Sequence, residues 1–132
     1  MGSVTDYLLD THALLWWLFD DPKLSEAARR AIANPDHRLW VSAASAWEIA
    51  TKARLGKLPE AGDVPVRLEY YLRKARFSEL AVTINHGLRA GALPGPHRDP
   101  FDRMLIAQSL ATGYAIITVD PVFGEYGVSV LW

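Results

Sequence analysis

Hydrophobic positions along this chain fall into short blocks that alternate with segments of helical spacing. Five of these blocks are rich in β-branched, aromatic and other apolar residues and have the length of a strand. They cover residues 4–9, 38–41, 80–84, 114–118 and 128–131. Because helical segments separate them, the pattern predicts an α/β protein with a parallel sheet covered by helices on both faces.

The intervening segments carry recognisable helix start and stop signals. Ser25 and Ser42 stand where N-caps are expected, Asp99-Pro100 is a strong helix start, and Gly113 is the matching stop. Residues 58–64 lack periodicity and are predicted to be a loop. The predicted helices cover residues 11–19, 26–33, 43–55, 65–76, 85–92 and 100–112.

Composition narrows the class of protein. Half of the 132 residues are hydrophobic, which favours a folded core over disorder. The apolar runs are shorter than the ~18 residues that cross a bilayer, and Met1-Gly2-Ser3 does not begin a signal peptide, so we expect a cytoplasmic protein without a membrane partner. Cysteine is absent, which excludes disulfides, thiolate nucleophiles and cysteine-based zinc sites.

Four acidic residues are predicted to meet at one edge of the sheet. Asp10 follows the first strand, and Asp120 follows the strand that closes at Thr118. Glu48 lies in the second turn of the helix after the second strand, and Asp102 lies in the first turn of the helix before the fourth strand. Ligands of parallel α/β sheets gather outside the carboxyl ends of the strands, so these acids are candidate functional residues.

Several carboxylates at one edge repel one another and need a positive charge for compensation. Oxygen ligands suit Mg²⁺ or Mn²⁺, which favour phosphoryl transfer. Each acid also has a structural explanation, as a strand end, a solvated helix position, a helix-dipole partner or a turn starter. For the neighbouring Asp99 we favour the N-cap role.

Basic residues and histidines add weaker candidates. The 14 Lys and Arg residues nearly balance the 15 Asp and Glu residues, which argues against non-specific wrapping of nucleic acid. Lys52 follows Glu48 by one helical turn, so it can contact a substrate phosphate or form an intrahelical ion pair. Arg103 is a further candidate for substrate binding. His12 and His97 lack the spacing of a zinc site and are more often packing or capping residues.

Several aromatic and apolar side chains exceed what a core of this size needs. We expect them to line an interface with a second copy or another chain. They are Trp16, Trp17, Tyr70, Tyr71 and Leu72.

The chain resembles the PIN-domain ribonucleases and, within them, the VapC-like toxins of type II toxin-antitoxin pairs. The matching segments occur in the family's order along nearly the whole chain. They are residues 8–12, 15–16, 45–49, 97–108, 118–120, 123 and 126–128.

This resemblance implies a functional site. The family's four acids fall on Asp10, Glu48, Asp102 and Asp120, and Thr118 is similar to its supporting hydroxyl. The implied activity is Mg²⁺- or Mn²⁺-dependent endoribonuclease cleavage. We expect Asp10 and Asp102 to be direct metal ligands, with Glu48 and Asp120 acting through water.

The resemblance also implies an architecture and partners. The expected fold is a three-layer α/β/α PIN-like fold with a central parallel sheet of four to five strands, formed by residues 1–132 as a single PIN domain. The implied partners are an RNA substrate, a cognate antitoxin protein and a second copy of the chain. Two alternatives remain open, a non-catalytic metal-stabilised protein-binding module and a 5′-nuclease-like enzyme that cleaves DNA.

Overall fold

The central feature is a five-stranded sheet in which every neighbouring pair is parallel. It is seen in a computed structural model that describes residues 4–132, so Met1-Gly2-Ser3 lies outside the described residues. The strand order is β3-β2-β1-β4-β5, which confirms the predicted parallel α/β architecture. The strands are β1 Thr5–Leu9, β2 His37–Ser42, β3 Ser78–Leu80, β4 Ala115–Ile117 and β5 Val130–Leu131.

Six α-helices flank the sheet in the described part of the chain. They are α1 Thr11–Leu18, α2 Glu26–Ala33, α3 Ala43–Arg54, α4 Val64–Ala75, α5 Ile84–Ala92 and α6 Pro100–Thr112. Two short 3₁₀ helices, Pro59–Ala61 and Pro121–Tyr126, lie in segments for which the sequence pattern gave no element. Within residues 4–132, every helix is too short or too polar to span a bilayer.

The predicted caps account for where three of the helices begin and end. The side chain of Ser25 accepts a hydrogen bond from the backbone N–H of Ala28 at 3.1 Å, and Ser42 accepts one from Ala44 at 3.0 Å. Gly113 ends α6 in the left-handed region, with φ of 80°. Side-chain acceptors at a helix start satisfy N–H groups that have no partner within the helix.

Two hydrophobic clusters cover the two faces of the sheet. Leu8 and Leu9 are adjacent in the central strand, so their side chains point to opposite faces. Leu9 belongs to a cluster with α1 to α4, whereas Leu8 packs with Leu105 and Ile106 of α6 and with Phe123. The molecule therefore has helices on both faces of the sheet, as the three-layer prediction requires.

The predicted third strand was misplaced. It was expected over residues 80–84, but β3 covers Ser78–Leu80 and α5 begins at Ile84. Thr83 is the reason, because its hydroxyl accepts from the N–H of His86 while the imidazole accepts from the N–H of Thr83, each at 3.1 Å. This reciprocal cap starts a helix where the apolar pattern had suggested a strand.

Candidate active site

A cleft of about 430 Å³ lies at the carboxyl edge of the sheet, where β1 and β4 end. The fold brings all four predicted acids to this one cleft. Asp10 is fixed at its position by a backbone hydrogen bond from its N–H to the carbonyl of Ile117 at 3.1 Å. The residues that line the cleft are Asp10, His12, Trp16, Glu48, Lys52, Asp99, Asp102, Val119, Asp120 and Pro121.

Asp10 is a buried carboxyl group that a single hydroxyl orients. The hydroxyl of Thr118 donates to Asp10 Oδ2 at 2.6 Å and accepts from the backbone N–H of Asp120 at 3.1 Å. Because the accepted bond occupies one side of the hydroxyl, its hydrogen is directed at Asp10. Burial raises the pKa of Asp10; the Thr118 hydrogen bond opposes that rise, and the nearby Glu48 adds to it.

Glu48 projects from α3 and is only 4% exposed. Its Oε2 lies 2.5 Å from the ammonium nitrogen of Lys52, one helical turn along. Of the two roles considered for Lys52, this ion pair is the contact that the structure forms. Burial lowers the pKa of Lys52, but the hydrogen bond and charge of Glu48 outweigh burial, so the pKa is raised and the ammonium stays protonated.

Asp102 lies in the first turn of α6 beside His97. Its Oδ2 is 3.0 Å from His97 Nε2. Burial raises the pKa of Asp102 to about 6; the contact with His97 lowers it, and the negative charges of Asp99, Asp10 and Glu48 raise it further.

Asp99 caps α6, as predicted. One of its oxygens accepts from the N–H groups of Phe101 and Asp102 at 2.9 and 3.1 Å. Asp99 also lines the cleft, so it adds negative charge next to the four acids.

The family model described as PIN domain matches residues 7–128, which include all four acids. This chain belongs to the PIN-domain family. The assignment confirms the resemblance that the sequence motifs indicated.

Individual PIN-domain relatives agree with this assignment. The chain is 32% identical over 118 residues to Ribonuclease VapC22 of Mycobacterium tuberculosis, a match that covers 89% of this chain and 88% of that protein. It is thus similar to a VapC protein over most of its length.

Solved structures show the same fold at lower identity. VapBC2 from Rickettsia felis, in a complex with a DNA fragment from its promoter, matches with a TM-score of 0.66 and 13% identity over 96% of this chain and 97% of that chain. VapBC-1 from nontypeable Haemophilus influenzae matches with a TM-score of 0.66 and 19% identity over 96% of each. FitAcB from Neisseria gonorrhoeae matches with a TM-score of 0.65 and 18% identity over 94% of this chain and 95% of that chain. These likenesses confirm the PIN-like three-layer fold.

The donor set of this PIN-domain protein fits a hard divalent cation. Asp10 and Asp102 both have a raised pKa, which shows that burial and neighbouring negative charge are not fully compensated within the cleft. Within residues 4–132, no three His, Cys, Asp or Glu side chains are arranged to hold one ion between them. Mg²⁺ is usually held by one or two carboxylates together with water, which such a set can provide.

Arg103, the second candidate for substrate binding, contacts the backbone of the protein itself. Its guanidinium donates to four backbone carbonyls in segment 90–97, at distances of 2.6 to 3.4 Å. A guanidinium has five N–H donors, so most of its hydrogen-bonding capacity is used inside the protein.

One of the five predicted interface residues, Leu72, needs correction. Leu72 is 5% exposed and belongs to the core, and Trp16, Trp17 and Tyr71 pack against that core. Tyr70 is 39% exposed. Helical spacing could not separate a core-facing aromatic residue from an exposed one, because both occupy the same kind of apolar position.

Large exposed apolar side chains occur elsewhere. Trp47 of α3 and Val82 line one groove and are 63% and 40% exposed. Ile84 and Leu88 lie one turn apart on α5 and are 84% and 70% exposed. We call these four residues the apolar patch. The sequence pattern gave no such surface here, because Val82 and Ile84 had been assigned to the predicted third strand.

Proposed function

We propose that this protein is a Mg²⁺- or Mn²⁺-dependent endoribonuclease that acts in the cytoplasm as the toxin of a toxin-antitoxin pair, with residues 1–132 forming a single PIN domain. The observation that carries the proposal is the cleft in which four carboxyl groups converge within a PIN-domain chain. The name of the relative Ribonuclease VapC22 supports RNA as the substrate class.

Asp10 and Asp102 would hold the cation directly, since each has a carboxylate in the cleft whose pKa is raised. The bound cation would supply Lewis-acid stabilisation of the charge that develops on the phosphate and the leaving oxygen. Thr118 orients Asp10 by donating to one of its oxygens. With the cation bound, the cleft would attract a phosphate group, whereas the carboxylates alone would repel it.

Glu48 and Asp120 would act on water. In hydrolysis, a water oxygen bonds to phosphorus, the bond from phosphorus to one ribose oxygen breaks, and that oxygen gains a proton. A carboxylate that faces the cleft can accept the proton that the attacking water loses. The ion pair with Lys52 holds one oxygen of Glu48 in place, which fixes the direction from which Glu48 would accept a hydrogen bond from water.

The direct test is cleavage of a defined RNA oligonucleotide with Mg²⁺, with Mn²⁺ and with a chelator. We expect cleavage only with metal, and its loss in Asp10→Asn. Asp6→Asn is the matched control, because Asp6 lies on the same strand and accepts from the indole of Trp40 through an oxygen that asparagine retains. Equal activity of wild type and Asp10→Asn would contradict the mechanism.

The same assay separates the alternatives. A matched DNA oligonucleotide that is cleaved as fast as the RNA would favour a 5′-nuclease-like enzyme. Metal that raises thermal stability without any cleavage would favour a binding module.

An antitoxin is the proposed protein partner. Two of the structural neighbours described above are VapBC complexes, which supports a partner of the antitoxin kind for this chain. Expression of the wild-type chain alone in a bacterial host should arrest growth, whereas Asp10→Asn should permit it. Normal growth with the soluble wild-type protein would contradict the toxin role.

A homodimer is the second proposed assembly. The apolar patch supports it, because large exposed apolar side chains are typical of protein interfaces. The patch adds to the aromatic residues that the sequence had suggested for the same purpose.

A further inference from the structure

Segment 93–97 joins α5 to α6 and brings His97 to the cleft. The His97 Nε2 lies 3.0 Å from Asp102 Oδ2, and the two side chains are 23% and 19% exposed. A carboxylate oxygen can only accept a hydrogen bond, so Nε2 carries the hydrogen and donates it. The contact therefore restricts the direction in which Asp102 presents its carboxylate.

Arg103 anchors the backbone that carries this histidine. Its guanidinium donates to the carbonyl of His97 at 3.0 Å and to that of Leu93 at 2.6 Å. It also donates to Ala90 and Gly91 at the end of α5, at 3.0 and 3.4 Å. A single planar side chain thus ties both ends of the segment to α6.

The middle of the segment is fixed by close packing. Gly95 has φ of +96°, and a Cβ at this position would lie 3.0 Å from the hydroxyl oxygen of Tyr126. Only glycine combines this backbone conformation with so close an approach. The path of the segment is therefore determined by Arg103 at its two ends and by Tyr126 at its middle.

The arrangement parallels that at the other proposed direct ligand. Thr118 holds one oxygen of Asp10 at 2.6 Å, and His97 holds one oxygen of Asp102 at 3.0 Å. Partners that hydrogen-bond to metal ligands orient them and strengthen metal binding. We propose that His97 is a positioning residue that orients Asp102 for the divalent cation, and that Arg103 acts through His97 by fixing the segment. This inference rests on the proposed metal-dependent function.

The test compares His97→Leu with His97→Gln in the full-length protein. Leucine removes the donor, whereas glutamine can place an amide N–H near the position of Nε2. Calorimetric titration with Mn²⁺ alone should show a dissociation constant raised about 10- to 100-fold in His97→Leu, with most of the affinity retained in His97→Gln. RNA cleavage by His97→Leu should recover as the Mn²⁺ concentration is raised.

His37→Leu is the matched control for loss of a histidine. His37 is also half-buried and contacts a protein oxygen, the carbonyl of Ala31 at 2.7 Å, but it begins β2 at the other end of the sheet. Its replacement should lower thermal stability without changing Mn²⁺ affinity. If His97→Leu binds Mn²⁺ as tightly as wild type, or if glutamine fails to restore affinity, the positioning role is overturned while the proposed function stands.

Arg103→Lys tests whether Arg103 acts through His97. Lysine keeps the charge but cannot span four carbonyls, so Mn²⁺ affinity should fall. The double variant, Arg103→Lys with His97→Leu, should bind Mn²⁺ as weakly as His97→Leu alone. Additive losses would overturn the claim that Arg103 acts through His97. A wild-type protein that neither binds Mn²⁺ nor cleaves RNA with it would overturn the proposed function together with this inference.

Discussion

At the residue scale, each of the four predicted acids of the cleft has one oxygen held by a donor that the chain itself supplies. These donors fix the direction of the carboxylates and partly compensate for the water lost on burial. The pairs are Thr118 with Asp10, Lys52 with Glu48, His97 with Asp102, and the backbone N–H of Val122 with Asp120. The donors differ in charge: Lys52 is a cation, whereas Thr118 and the backbone N–H of Val122 are neutral.

Replacing Thr118 by valine tests the orientation of Asp10. The isosteric change leaves Asp10 without its donor and the N–H of Asp120 without its acceptor. We expect the free energy of unfolding to fall by about 1–3 kcal/mol, and RNA cleavage to fall about 10- to 100-fold. Urea denaturation and cleavage rates measure the two effects. Thr118→Ser keeps the hydroxyl and should lie close to wild type; equal losses in both variants would contradict the role of the hydroxyl.

The raised pKa of Asp102 predicts a pH dependence of stability in the absence of divalent metal. Its pKa is about 6 in the folded protein and 3.8 for an ordinary aspartate, so the folded state favours the protonated form. This contribution to stability is complete below pH 3.8 and is lost as the pH rises to about 6, by up to about 3 kcal/mol.

Asp102→Asn removes this titration. In the presence of chelator, the free energy of unfolding of the wild type should fall relative to that of Asp102→Asn as the pH rises from about 4 to about 6. Above pH 6 the difference between the two proteins should stay constant. Urea denaturation at a series of pH values measures the difference. Two curves that run parallel across this range would show that Asp102 does not titrate as described.

At the element scale, the ends of the helices determine where the functional side chains lie. The side chain of Asp99 fixes the first turn of α6, which places Asp102 one turn inside the helix and at the cleft. Thr83 has the corresponding effect on α5, where its cap overrides an apolar pattern that favoured a strand. Local hydrogen bonds at a cap can thus outweigh hydrophobic periodicity in deciding what a segment becomes.

Replacing two glycines by alanine tests where α6 ends and whether Gly87 lies inside α5. Gly113 ends α6 with φ of +80°, so Gly113→Ala should lower the free energy of unfolding by about 1–2 kcal/mol. Gly87 lies inside α5, and a Cβ there would meet no other atom within 4 Å. Gly87→Ala should therefore stabilise the protein by up to about 1 kcal/mol. Urea denaturation measures both, and effects of the same sign would contradict the assignment.

At the scale of the whole molecule, the sheet separates two hydrophobic clusters, and the cleft lies where its central strands end. This leaves the apolar patch on α3, α5 and the turn before α5 outside both clusters. The patch is available for assembly because the core is complete without it.

The patch predicts the effect of a charge on assembly. Leu88→Lys should convert the proposed dimer to a monomer, since burying a lysine ammonium in an apolar interface is costly. Val66→Lys is the matched control, because Val66 is 88% exposed on a different helix, α4. Analytical ultracentrifugation measures the mass, and circular dichroism checks the fold. A wild-type monomer, or dissociation by both changes, would contradict this location of the interface.

Much of the fold and the convergence of the acids could be predicted from local signals. The caps at Ser25, Ser42 and Asp99 needed only the neighbouring residues, and the position of Asp10 needed only the end of an apolar block. The contact of Arg103 could not be predicted this way, because an exposed arginine near a phosphate site and one that binds carbonyls look the same in sequence.

The sequence by itself determined the alternation of strands and helices, the oxygen-only donor set and the arrival of four acids at one edge, because periodicity, caps and parallel topology are local or follow from simple rules. Only the tertiary structure decided which donor holds each acid. Thr118 meets Asp10 across 108 positions, and His97 reaches Asp102 through a segment held by Arg103. The strength of such hydrogen bonds changes when the donor–acceptor distance changes by a few tenths of an ångström, and the packing of the whole chain sets that distance.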